Sequence, residues 1–209
     1  MRRALNVSIA ALAALLALPV GLTAAVLIKL EDGGPVFFRQ ERVGLRGLAF
    51  RIFKFRTMIV DADRRGLGLN IATDDDRITR TGRVLRRWSL DEIPQLLNVM
   101  KGDMNVVGPR PALPMQVARY TARERRRLEV RPGLTGWAQV NGRNALTWAQ
   151  RIDADLWYVD HASLSLDLRI LMRTPAAVLR SEGLYEREAG LGDEFNVFDD
   201  RPENEESAR

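Results

Sequence analysis

From Ala4 to Ile28 the chain carries no charge and is built mostly of alanine, leucine and valine. That length suits a single crossing of a bilayer. Met1-Arg2-Arg3 ahead of the segment and Thr23-Ala24-Ala25 near its end also suit a cleaved secretory signal. A third arrangement enters the membrane, breaks near Pro19 and leaves on the same side, since proline deletes one helix bond and crowds the preceding turn. Arg2 and Arg3 precede the segment, and Lys29, Arg39, Arg42 and Arg46 follow it. Basic residues favour the cytoplasmic side, so arginines on both flanks fit the re-entrant arrangement better than the spanning one.

Beyond this segment the pattern changes period. Glu31-Asp32-Gly33-Gly34-Pro35 reads as a turn. Val36 to Gln40 and Phe50 to Phe55 alternate aromatic or branched residues with polar ones, which predicts two strands of a hairpin turning through Val43 to Gly47. Asp61 to Asp76 is polar and predicts a loop, followed by a helix over Ile78 to Arg87. Another helix is expected from Pro114 through Tyr120 toward Leu128. It carries Arg119, Arg123, Arg125, Arg126 and Arg127, either as a solvated basic face or as a surface for anionic lipid headgroups. Trp148, Ile152 and Leu156 form an amphipathic stripe. Leu164 to Leu179 predicts a last helix, kinked or restarted at Pro175, and an acidic stretch from Gly190 onward reads as a disordered tail. The expected class is α+β, mostly helical with a short β-hairpin. Its three parts are a membrane segment over 1–30, a catalytic domain over 31–190 and a tail over 191–209.

Composition narrows the partners. With 209 residues the chain is long enough for a real core. It has no cysteine, which removes disulfides and thiolate metal sites. A net charge of +5 points to anionic partners such as a membrane surface, phosphorylated substrates or nucleic acid. No repeat and no zinc, Walker or dinucleotide-binding pattern is present in the sequence.

The candidate chemistry lies in Ser89-Leu90-Asp91-Glu92-Ile93-Pro94-Gln95-Leu96, followed by Val107-Gly108-Pro109-Arg110-Pro111. Two adjacent carboxylates are able to hold a divalent metal or attack phosphorus, and an arginine fork grips phosphate oxygens. The same residues also read as helix caps. Ser89 with Glu92 makes a capping box, or Asp91 is the N-cap and Pro94 falls in the first turn. The second is preferred, because a start at Ser89 would make Pro94 delete an early helix bond. Asp74-Asp75-Asp76 is a rival acidic cluster, read first as turn and capping material. His161 is the sole histidine and is expected to be structural or exposed.

These blocks, with Lys54-Phe55-Arg56-Thr57-Met58 before them and Arg131-Pro132-Gly133-Leu134-Thr135-Gly136-Trp137-Ala138-Gln139-Val140-Asn141-Gly142-Arg143 after them, occur in one order over about Arg2 to Gly183. In this the chain resembles the monotopic phosphoglycosyl transferases of the bacterial sugar transferase family. The resemblance implies a re-entrant membrane helix broken near Pro19. It implies that Asp91 attacks the β-phosphorus of a UDP-sugar and expels UMP, and that polyprenyl phosphate then takes the sugar phosphate. It also implies that Glu92, with Asp91, holds Mg²⁺, and that Arg86, Arg110 and Arg143 clamp phosphate, with Lys54 and Arg56 as further candidates. Trp137 is expected either to stack on uracil or to fill a core turn. Many family members have Ser-Pro where this chain has Leu18-Pro19, and an aspartate where it has Asn6. The expected partners are a UDP-sugar, polyprenyl phosphate and inner-membrane lipid on the cytosolic face. A homodimer is compatible with a flat membrane-facing domain, and no nucleic acid is expected. The competing reading is a non-catalytic basic module that binds anionic lipid or nucleic acid.

Overall fold

The computed structural model describes residues 2–62, 75–142 and 145–179. The acidic tail, Asp74 and Arg143 therefore lie outside the described residues, as does most of the expected 61–76 loop.

Helix α1 (Arg2–Asp32) is 31 residues long and stays helical through Pro19. The expected interruption is thus not a gap in the helix. One proline costs one backbone bond, and the remaining bonds of so long a helix carry it. Its two faces differ in side-chain size. Ala10, Ala13, Ala14, Gly21, Ala24 and Ile28 face the rest of the protein, while Leu12, Leu15, Leu16, Leu22 and Leu30 are exposed. Small residues let the helix lie close to the domain along its length, and the large apolar ones are left outside.

Both ends of α1 are bonded to that same domain. Near the start, the Arg3 guanidinium donates to the carbonyls of Val99 (2.5 Å), Met100 (3.0 Å) and Met104 (3.2 Å). The Val106 amide donates to Asn6 Oδ1 at 2.7 Å, so Asn6 has a backbone partner in this fold. At the far end, Glu31 accepts from the amides of Arg80 (2.7 Å) and Thr81 (3.1 Å), the first turn of α2 (Arg80–Arg87). Burial works against the charge on Glu31, but these bonds outweigh it and hold its carboxyl below the usual range.

The hairpin forms as its alternation predicts. Strands β1 (Phe37–Val43) and β2 (Ala49–Phe55) are antiparallel, with Phe37 opposite Phe55 and Phe38 opposite Lys54. Helix α3 (Gln95–Lys101) is bolted to β2 by Asn98, which is fully buried. Its Oδ1 accepts from the Phe53 amide at 3.0 Å, and its Nδ2 donates to the Arg51 carbonyl at 2.8 Å. Asn98→Ala strands both backbone groups in the core and should cost about 2–4 kcal/mol. Equilibrium unfolding in detergent checks this, and a loss under about 1 kcal/mol would mean that water reaches both groups.

A second sheet was not predicted. Strands β3 (Asn105–Val107) and β4 (Gly133–Thr135) are parallel and three residues each, too short for alternation to be read. They join two of the sequence blocks. A Cβ on Gly133 would lie 2.1 Å from the Gly108 nitrogen, so only glycine allows this approach.

The expected helix from Pro114 to Leu128 is three pieces instead: α4 (Pro114–Ala118), α5 (Ala122–Arg125) and a 3-10 turn over Arg126–Glu129. The Thr121–Glu124 capping box restarts the helix, because Thr121 satisfies the Glu124 amide and Glu124 satisfies that of Thr121. After α6 (Trp137–Val140), helix α7 (Trp148–His161) buries the predicted stripe, and α8 (Leu164–Leu179) runs through Pro175.

Candidate active site

The Asp91-Glu92 pair does not cap a helix. Leu90–Glu92 form a separate 3-10 turn, and α3 begins only at Gln95, after Pro94. Ser89 sits in the left-handed region at φ 54°, ψ 24°, an unfavourable conformation for a side-chain-bearing residue, and makes no capping bond to this turn. That reversal separates the turn from the end of α2. Leu90 and Ile93 then pack on Ile28, Phe55 and Leu85, so the residues beside the carboxylates are pinned in an apolar cluster that includes α1.

Cations converge on the pair from three elements. Lys54, near the end of β2, donates to Glu92 Oε1 at 3.0 Å and lies 3.8 Å from Asp91 Oδ2. Arg110, in the turn after β3, donates to the same Glu92 oxygen at 2.8 Å. Arg86, on α2, adds its charge to the field at Asp91, and its Nε donates to Thr57 Oγ1 at 2.8 Å. Thr57 therefore orients one of the cations, and Gly82 sets the approach. A Cβ there would lie 2.0 Å from the Thr57 carbonyl oxygen.

The two carboxylates have different environments. Burial opposes charge on Glu92, but Arg110 and Lys54 outweigh it through charge and hydrogen bonds, holding the carboxyl far below the usual range. Burial pushes Asp91 up, and the charge of Glu92 adds to this against Lys54, Arg86 and Arg110. Among the described residues, Asp91 takes no hydrogen bond on its oxygens. Of the two it is therefore the more basic and the less encumbered, which suits a nucleophile.

Other expected residues stand elsewhere. Arg56 is buried and paired with Asp32, which ties the end of α1 to the segment after β2. Asp75 is locked to Arg77 at 2.6 Å in a buried ion pair. Among the described residues no group of three or more acidic or histidine side chains gathers as a metal cluster. Trp137 stacks on Trp157 with ring centres 4.6 Å apart, and Trp157 stacks on His161 at 4.3 Å. His161 is thus a packing residue at the end of an aromatic column.

The pair offers hard oxygen donors with little else from the protein. That fits a magnesium ion, which keeps waters and substrate oxygens in most of its positions. Glu92, with Asp91 beside it, would hold the ion.

Sequence reading missed the buried residues behind Arg110. Arg127, grouped above with a basic helix face, is buried and paired with Asp155 at 2.6 Å. Asp155 had one visible signal: it falls among Ile152 and Leu156 on the apolar stripe of α7.

Residues 1–181 match the family model described as "Bacterial sugar transferase". The chain is 49% identical over 174 residues to the "Uncharacterized sugar transferase EpsL" of Bacillus subtilis strain 168, spanning 80% of this chain and 85% of that one. It is 46% identical over 195 residues to the UDP-glucose:undecaprenyl-phosphate glucose-1-phosphate transferase of Caulobacter vibrioides, spanning 88% and 72%. It is 40% identical over 170 residues to the undecaprenyl-phosphate galactose phosphotransferase of Salmonella typhimurium, spanning 74% and 36%.

Proposed function

This chain belongs to the bacterial sugar transferase family, and from that premise we propose that it moves a sugar 1-phosphate from a UDP-sugar to undecaprenyl phosphate through Asp91. The observation that carries this reading is the unequal carboxylate pair. Lys54 and Arg110 both bond one oxygen of Glu92, while among the described residues the side chain of the neighbouring Asp91 takes no hydrogen bond.

In the first step an Asp91 oxygen bonds to the β-phosphorus, and the bond from that phosphorus to the bridging oxygen of UMP breaks. The electron pair leaves with UMP, and the sugar phosphate remains on Asp91 as an acyl phosphate. In the second step a phosphate oxygen of undecaprenyl phosphate bonds to the same phosphorus and the Asp91 carboxylate leaves. Splitting one displacement into two lets a single site serve a soluble donor and a membrane acceptor in turn. Lys54, Arg86 and Arg110 neutralise the diphosphate, and the guanidinium forks fix its orientation. Magnesium, when bound, offsets negative charge on the departing phosphate. Arg143 keeps the role of a phosphate clamp from its motif alone.

The same reading is monotopic and on the cytosolic face of the inner membrane: the arginines on both flanks of α1 support the face, and the packing of α1 supports the topology. Bilayer hydrocarbon is about 30 Å thick, and a spanning α1 would have to leave the domain over most of its length. Instead its small-residue face packs on that domain and both ends are bonded to it, and among the described residues the leucine face is exposed. Leu164, Leu168 and Met172 on α8 extend the apolar surface where the two helices meet beside Leu5. The product would begin a polysaccharide or glycoconjugate on its lipid carrier.

UMP release tests this with purified protein in lipid, Mg²⁺, undecaprenyl phosphate and a panel of UDP-sugars. Turnover of at least one donor, dependent on the acceptor lipid and lost with chelator, is expected. Folded, membrane-bound protein that releases no UMP from any donor would return the chain to the reading of a basic binding module.

A further inference from the structure

The turn that carries Arg110 has a proline on each side of that residue. Pro109 and Pro111 have no amide hydrogen, so the carbonyls of this stretch must find donors elsewhere. They do so one by one from different parts of the fold. The Pro109 carbonyl accepts from the Gly133 amide at 2.9 Å, and that of Ala112 from the Val43 amide at 2.9 Å. The Pro111 carbonyl accepts from Arg42 Nη1 at 3.2 Å, and that of Arg110 itself accepts from Arg127 Nη2 at 3.3 Å.

Arg127 is the unusual member of this set. It is buried against Asp155 and Tyr120, donating to the Tyr120 hydroxyl, with its guanidinium 5.6 Å from the Tyr120 ring centre and 5.7 Å from that of Trp148. A buried ion pair is a poor source of stability, because desolvating two charges offsets their attraction. This one is also incompletely satisfied: among the described residues, Arg127 Nε and Asp155 Oδ1 have no hydrogen-bond partner. Apolar side chains of similar volume would serve the core at least as well. What they could not supply is a fixed donor behind the backbone of Arg110.

We propose that Arg127, held by Asp155 and Tyr120, is a positioning residue that fixes the Arg110 turn and so aims the Arg110 guanidinium at Glu92 and the substrate diphosphate. The inference rests on the reaction proposed above for its kinetic part and on the fold alone for its structural part. Arg127 touches no reacting atom. Its effect passes through Arg110, so the two residues should act as one unit.

The test replaces both charges together, Arg127→Met with Asp155→Leu, so that neither is left buried alone. Backbone hydrogen exchange over residues 108–112 should speed up while the thermal midpoint holds or rises. With the donor sugar found above, kcat should fall ~10–100-fold with KM changed much less, since misplacement of a catalytic group by about 1 Å has effects of this size. In an Arg110→Ala background the same double replacement should change kcat less than about twofold, because coupled residues are not additive. Unchanged exchange at 108–112, unchanged kcat, or a full further loss in the Arg110→Ala background would each overturn the proposal. If the apolar pair does not fold, Arg127→Lys is measured in the same way against the same outcomes. It keeps the charge facing Asp155 and loses the fork that reaches Arg110. If wild type releases no UMP from any donor, the exchange result decides the anchoring by itself and the reaction falls separately.

Discussion

Asp91→Asn should abolish UMP release, lowering turnover by ~10³-fold or more, as expected for loss of a covalent nucleophile. The substitution is nearly isosteric, and Leu90 and Ile93 still pack on Ile28 and Phe55, so the turn is preserved. It also removes a carboxylate whose burial is unfavourable. The thermal midpoint should therefore hold or rise while activity vanishes, which separates a chemical loss from a folding loss. Wild type incubated with donor and no acceptor lipid should gain the mass of one sugar phosphate on the peptide containing Asp91, and the variant should gain none. Residual turnover within about tenfold of wild type would remove Asp91 as nucleophile, because no covalent route survives loss of its attacking oxygen.

The second large effect belongs to Glu92. Lys54 and Arg110 both donate to one of its oxygens, so Glu92→Gln leaves two cations facing a neutral amide. It also removes the better-ionised of the two expected metal ligands. Turnover should fall ~10²–10³-fold, and the magnesium concentration for half-maximal rate should rise. Stability should fall by about 1–2 kcal/mol, a discounted figure because Arg110 is 35% exposed on its side chain and water screens its part of the pair. Glu92→Asp restores the charge on a shorter arm and should recover part of the rate. A magnesium dependence identical in wild type and Glu92→Gln would count against Glu92 as a metal ligand. In that case its role is to hold Lys54 and Arg110.

Several features of the protein were already legible in the chain. The uncharged run from Ala4 to Ile28 specified a long apolar helix, and the alternation in 36–40 and 50–55 specified a hairpin. The Trp148, Ile152 and Leu156 spacing specified the buried face of α7. In each case the signal is local, because apolar side chains repeat at the period of the element that buries them. The ordered motif blocks marked Asp91 and Glu92, with Lys54, Arg86 and Arg110, as one constellation.

Tertiary structure decided the rest, and for one physical reason. A neighbourhood made by distant segments leaves no periodic trace in any of them. Whether Asp91 caps a helix depended on the left-handed Ser89, and the ion pair of Arg56 depended on Asp32, 24 residues away. Arg127 lies among other arginines in sequence, yet it is buried because Asp155 approaches it from 28 residues further along. The difference between Asp91 and Glu92 is of the same kind. They are adjacent and alike as residues, and burial together with the placement of Lys54 and Arg110 around them makes Glu92 an anchored anion and Asp91 the weaker acid. Sequence determined which groups were available for chemistry. Folding determined their division of labour, because burial and opposing charge act through space.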